Sequence, residues 1–524
     1  MTTANPPQVP SSPTALPTRL ALRLRPLAIV RGSSVAPASR WGLFVVIVLV
    51  VLGCGGRLAA WSRERSLWID EAMLALNLIE RSPPELLQPL DYNQGAPPGF
   101  LVAVKVAMGL GGSAEWALRL VPMVASLVGL VGFAVLAWRL LPAPAAQIAV
   151  ALGAGAPHLI SYAGECKQYA GDATVTIGLF LAAMGVLQGR GGWRWALLAF
   201  GGAIAVWCSH PAVFILGGIG TALGLQAVQT RHRSRRRAVL VTISTWLVSF
   251  TLCYFLCLKE LSQNHDLTRY WTDHFWPLPP QSLGDLTWLV EHALQFFTQP
   301  GGFGGTLVPL GGLAAVLALI GWREWLREHW VMGLAAVGPI AWLLVASGLQ
   351  KYPVGGRLML FWVPVALLLV ARGAWSVINI LDATHPWAAR LLLGVLVLAP
   401  WAEAVVELRR PARCEELAPV LQRLRGEWQP GEQVYVYYGA IPAFRYYTRN
   451  EPWPAAVVYG GEHRGRPAGY RDELAGLRGP VWLIVSHRHG DEEAVIRTWL
   501  ACRGVCEREI HAPGAAAYRY RLPD

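Results

Sequence analysis

Asp70 and Glu71 stand side by side in Ser66-Leu67-Trp68-Ile69-Asp70-Glu71-Ala72, a few residues beyond a long apolar block. A carboxylate at that depth lies level with lipid head groups. It can take the proton of an acceptor hydroxyl as that hydroxyl attacks a sugar C1, or it can ligate a divalent metal. Asp70 would equally cap the amphipathic helix implied by Met73, Leu74, Leu76, Leu78 and Ile79, and spacing alone does not separate these roles. A second polar run, Glu165-Cys166-Lys167-Gln168-Tyr169-Ala170-Gly171-Asp172, can steer an acceptor, join Asp70 through Glu165 at a metal, or hold an anion through Lys167. A short loop between spans also needs polar residues for its own sake. The third run is Gln350-Lys351-Tyr352-Pro353-Val354-Gly355-Gly356-Arg357. Its glycines allow close backbone approach, and Arg357 offers positive charge, which a phosphate leaving group needs more than a general acid. An arginine at a membrane edge also serves as an interfacial anchor.

The elements that must position these runs are membrane helices. The 524 residues are 54% hydrophobic and 15% charged, and the apolar residues come in uninterrupted blocks. Spans are expected near 42–60, 117–138, 144–163, 172–188, 194–208, 211–228, 238–257, 304–321, 330–348, 358–377 and 389–403, about eleven in all. The block 98–112 is shorter and reads as a helix along the interface. With that choice every second loop is Arg-rich, including Arg231-His232-Arg233-Ser234-Arg235-Arg236-Arg237, which places those loops in the cytoplasm. The net charge of +12 therefore reports topology and gives no reason to invoke nucleic acid.

Four regions follow. Residues 1–40, rich in Pro, Ser and Arg, read as a disordered cytoplasmic tail. Residues 41–403 form the transmembrane part, with the first outer loop at 61–116. Residues 404–524 read as a small α/β domain on the outer, periplasmic side, with strands at Val434–Tyr438 and Val481–Val485. Val51-Leu52-Gly53-Cys54 imitates a lipoprotein box, but the basic region before it is too long for a signal peptide. The eight cysteines contain no zinc-site spacing, and only Cys414, Cys502 and Cys506 lie where a disulfide would form. No phosphate-binding or dinucleotide fingerprint is present. The aromatic run Arg269–Trp276 suits the interface as well as a sugar ring, and His210-Pro211 reads as a turn.

Further along the first loop come Asp91-Tyr92-Asn93-Gln94-Gly95-Ala96-Pro97-Pro98-Gly99-Phe100 and Glu115-Trp116-Ala117-Leu118-Arg119-Leu120. The Asp-Glu pair, the Pro-Pro entry to an apolar helix and the Glu-Trp-Ala-Leu-Arg entry to the next span together resemble the GT-C glycosyltransferases. The branch is that of the protein O-mannosyltransferases and aminoarabinose transferases, and the likeness is best over 41–230. It implies a polytopic helical membrane protein in the inner membrane. Its implied reaction moves a hexose or pentose from a polyprenyl-phosphate donor to a lipid, glycan or protein acceptor at the periplasmic face. It also implies that Asp70 is catalytic with Glu71 beside it, that an acidic residue of the second outer loop contributes, and that Arg357 and Tyr352 meet the donor phosphate. Some relatives carry a Glu-Lys pair where this chain has Gly95-Ala96, so phosphate contact from that point is not expected. The rival readings are a lipid or glycan transporter or flippase, with ionisable groups at the membrane midplane, and a non-catalytic assembly protein.

Overall fold

The computed structural model describes residues 40–524 apart from 190, 231, 306, 307, 412, 413, 455 and 524, so the expected tail lies almost wholly outside the described residues. Eight described helices are long and apolar enough to cross a membrane, or up to nine if one bent pair counts as a single span. They are α1 (Arg40–Trp61), Leu120–Leu140, Tyr169–Gln188, Ala212–Thr230, Arg233–Leu258, Trp330–Gly348, Gly356–Thr384 and Pro386–Arg409. The bent pair joins Ala143–Ala154 to Pro157–Gly164 at 52°. Helices Gly192–Cys208 and Gly311–Glu328 fill the two remaining expected positions, the first shorter and the second ending in Arg and Glu. Leucines, valines and phenylalanines stay exposed along α1 and Arg233–Leu258, as lipid-facing surfaces require. The block expected along the interface forms the apolar helix Pro98–Gly111, 14 residues, about 21 Å at about 1.5 Å per residue and shorter than a bilayer crossing needs.

The bend leaves carbonyls without helical partners in a place where water is scarce, and Arg57 answers them. It donates to Gly153 O at 3.0 Å, Ala154 O at 3.3 Å, Gly53 O at 2.9 Å and Ser126 Oγ at 2.9 Å, with only 2% of its surface accessible. This arginine is a cap for a broken helix. Elsewhere the bundle closes on small residues. A Cβ on Gly321 would sit 1.9 Å from Leu369 O, and one on Gly373 would sit 1.9 Å from Leu317 O, so these helices touch backbone to backbone.

The remaining elements lie at the end of the bundle that carries Asp70. After α1 comes α2 (Ile69–Glu80), and the chain's last part forms α3 (Leu417–Glu427), α4 (Ile441–Thr448), α5 (Pro467–Leu474) and α6 (Glu492–Ala501) around a sheet. Its strands are β1 (Gln433–Val436), β2 (Val457–Tyr459), β3 (Pro480–Ser486), β4 (Val505–Ala512) and β5 (Ala515–Arg521), in the order β2-β1-β3-β5-β4. The first three are parallel and the last two pair antiparallel. One apolar core runs from Leu74, Leu78, Leu101 and Leu118 of the first loop into Leu421, Phe444 and Trp482, so the sheet is docked on that loop. All eight cysteines are free, and the disulfide considered among Cys414, Cys502 and Cys506 is not formed.

Gly321→Ala or Gly373→Ala should lower stability by about 1–3 kcal/mol, the usual cost of overpacking. Thermal unfolding of the purified protein in detergent checks this, and an unchanged midpoint would contradict the close crossing.

Candidate active site

The two adjacent carboxylates part company in the fold. On a helix they point about 100° apart, and Glu71 turns inward to 0% exposure. Arg119 grips it with two bonds, Nε to one oxygen at 2.9 Å and a terminal nitrogen to the other at 2.7 Å, and the Cys166 N–H adds a third at 2.6 Å. Burial works to raise the Glu71 pKa, yet the Arg119 charge and hydrogen bonds hold it below the ordinary glutamate value. The same guanidinium donates to Arg65 O at 3.0 Å and Ser66 O at 3.3 Å, fixing the chain that leads into α2. Glu71 was expected beside Asp70 in the chemistry. It is a scaffold group instead, because no face of it is left for a substrate.

Asp70 turns the other way, to a partly open position. Its Oδ2 meets the Arg357 guanidinium at 2.7 Å, with side-chain exposures of 18% and 19%. Arg357 opens the 3-10 turn Gly356–Trp362 and lies 5.4 Å over the Trp68 ring and 5.8 Å from Tyr169, which hold its plane. Lys167 and Glu165 are buried in the neighbouring loop. Burial pulls the Lys167 pKa down while the nearby Asp70 charge opposes it, and Glu165 lies within electrostatic reach of Arg357. The Lys167 ammonium donates to Gln94 at 2.7 Å, and Gln168 donates to Gly95 O at 3.2 Å. Tyr352 donates to Leu358 O at 3.2 Å and packs edge-on against Phe214, and burial raises its phenol well above the usual value, so it bears on the backbone behind Arg357. The fold therefore gathers Asp70, Arg357, Lys167, Glu165 and Tyr169, with Tyr352 one layer behind.

Next to this group sit buried polar atoms of Gln168, Asp172, Ser209 and His210: the Asp172 carboxylate and Ser209 hydroxyl face one another, and Gln168 Oε1 and His210 Nε2 have no hydrogen-bond partner among the described residues. Gln168 and Asp172 share one helix face, and Asp172 neighbours Ser209. Burial lowers the His210 pKa to about 4, leaving a neutral imidazole. A metal fits poorly here. Among the described residues no three His, Cys, Asp or Glu side chains gather to hold one, and Arg357 and Lys167 would repel a cation placed between Asp70 and Glu165. The aromatic loop braces the site from outside, since His274 O accepts from Val354 N–H at 2.8 Å and Trp276 N–H donates to Ser347 at 2.9 Å. Sequence reading gave no hint that Glu415, Glu416 and Tyr447 would reach residues 66–69.

This bundle, with a polar first loop and a docked sheet, has the fold of the GT-C glycosyltransferases. The aminoarabinose transferase ArnT of Cupriavidus metallidurans bound to undecaprenyl phosphate is 15% identical, with a TM-score of 0.54 over 91% of this chain and 98% of that one. The oligosaccharyltransferase AglB of Archaeoglobus fulgidus, with an inhibitory peptide and a dolichol-phosphate, is 12% identical, with a TM-score of 0.54 over 91% of this chain and 74% of that one. An oligosaccharyltransferase of Archaeoglobus fulgidus tethered with an acceptor peptide is 13% identical, with a TM-score of 0.53 over 92% of this chain and 74% of that one. No protein-family profile and no curated protein sequence matches the chain.

Removing one partner of the Glu71–Arg119 pair strands a buried charge, so Arg119→Met should cost about 3–5 kcal/mol. Because the folded Glu71 value is depressed, its contribution is present above the ordinary 4.5 and is lost as pH falls through the folded value. Acid unfolding curves of wild type and Arg119→Met should converge at low pH, and parallel curves would contradict the assignment.

Proposed function

We propose that this chain is a membrane glycosyltransferase that moves a hexose or pentose from a polyprenyl-phosphate donor to a lipid, glycan or protein acceptor. The observation that carries the reading is the 2.7 Å Asp70–Arg357 pair with Lys167 beside it. It puts a proton acceptor and two anion-binding cations at one partly open point. ArnT, with undecaprenyl phosphate, and AglB, with a dolichol-phosphate, lend the donor class.

The donor phosphodiester, an anion with two non-bridging oxygens, takes the place of the Asp70 carboxylate on Arg357 and engages Lys167 as well. Asp70 is thereby released and takes the acceptor's proton. The acceptor oxygen bonds to the sugar C1 as the C1–O bond breaks, and that electron pair leaves with the lipid phosphate. Arg357 and Lys167 neutralise the charge that develops there, so the step draws on no metal. A single displacement of this kind inverts C1. The buried polar atoms of Gln168, Asp172, Ser209 and His210 suit the hydroxyls of a sugar ring.

The face is the periplasmic one of an inner membrane, on the argument that arginine-rich loops stay in the cytoplasm. A transporter or flippase would need free ionisable groups inside the bundle, whereas Arg57 has committed its donors to helix carbonyls. Substrate-dependent flux in vesicles without acceptor would favour that rival.

Asp70→Asn should cut transfer by about 10²–10⁴-fold, the worth of a general base, without loss of folded protein. Arg357→Ala should cost about 10²–10³-fold, with partial recovery in Arg357→Lys. Both are read as lipid-phosphate release from undecaprenyl-phosphate-linked hexoses and pentoses in detergent, with membrane lipid extract as acceptor. Full activity in Asp70→Asn, or labelling of position 70 only from the cytoplasmic side, would remove the reading.

A further inference from the structure

The helix that carries Asp70 has no cap of its own. Trp68 holds the N-cap position of α2 and offers no side-chain bond to the free N–H groups. One of those groups, that of Ile69, and two N–H groups of the segment leading into the helix are met from 346 to 380 positions away. Ser66 N–H donates to Glu416 at 3.1 Å, Leu67 N–H to the Tyr447 hydroxyl at 2.7 Å, and Ile69 N–H to Glu415 at 3.0 Å. The exchange is mutual, for Ala418 N–H, at the start of α3, donates to Ser66 Oγ at 3.1 Å. Two helices distant in sequence thus cap one another across the seam between the first loop and the sheet. The other oxygen of Glu415 holds His487 Nδ1 at 2.8 Å, in the turn after β3, where His487 takes a φ of 51°. Negative charge at a helix N-terminus is favourable in itself, so Glu415 both satisfies α2 and ties it to the sheet.

We infer that Glu415, held by His487, is a positioning residue for Asp70: the C-terminal α/β domain sets the first turn of α2 and with it the distance from Asp70 to Arg357. The inference rests on the reading of Asp70 as the base. Loss of a cap of ordinary strength corresponds to about five- to tenfold in an equilibrium, and a displaced base costs catalysis more than binding.

The test uses full-length protein in lipid nanodiscs, with Glu415→Ala and Glu415→Gln, the latter keeping an acceptor oxygen. Hydrogen exchange read by mass spectrometry should quicken about tenfold over 66–72 in Glu415→Ala and stay unchanged over α3. Turnover of undecaprenyl-phosphate-linked sugars should fall about tenfold in kcat, with KM for the donor within about twofold, and Glu415→Gln should recover most of both. Wild-type exchange and kcat in Glu415→Ala overturn the inference. So does faster exchange across the whole sheet in both variants, which would make Glu415 a general stability residue. An inactive Asp70→Asn with a fully active Glu415→Ala sinks this inference alone. An active Asp70→Asn sinks the base reading while leaving the exchange result to judge the cap.

Discussion

A buried ion pair anchors the end of the molecule that carries Asp70. Glu71 and Arg119 lose their water almost completely, a cost that only good geometry offsets, and the geometry is a two-point grip with a third bond from Cys166 N–H. Arg119 spends its other donors on the carbonyls of Arg65 and Ser66, so one guanidinium joins the entry of the second span, the start of α2 and, through Glu71, the loop at Cys166. The order around Asp70 follows from this knot.

Cations in this protein are sorted by what they are given to hold. Arg57 and Arg119 are buried with four hydrogen bonds each, Arg57 to three helix carbonyls and the Ser126 hydroxyl, Arg119 to the Glu71 carboxylate and the Arg65 and Ser66 carbonyls. Arg357 meets the partly exposed Asp70 carboxylate and is framed by aromatic faces. An ion pair at a partly wet site exchanges partners at modest cost, whereas a dry pair does not. That contrast separates scaffold from candidate machinery more clearly than residue type does.

The sheet adds a second constraint. It shares an apolar core with the first loop and caps α2 through Glu415. Side chains from both ends of the chain therefore set the position of one aspartate.

The spans were legible from the chain alone, because a bilayer demands about 20 apolar residues per crossing and the blocks are unbroken. Alternating spans bring every second loop to one end of the bundle, but the approach of Asp70, Lys167 and Arg357 to one another is a tertiary result. Adjacent Asp70 and Glu71 could not be told apart by spacing, as their difference is one of helix face and neighbour. The roles of Arg57 and Glu415 were invisible for the same reason: a free carbonyl or N–H carries no mark in sequence of the distant side chain that will meet it. Hydrophobic length and loop polarity are local properties that composition records, while capping and ion pairing across hundreds of residues exist only once the chain has closed on itself.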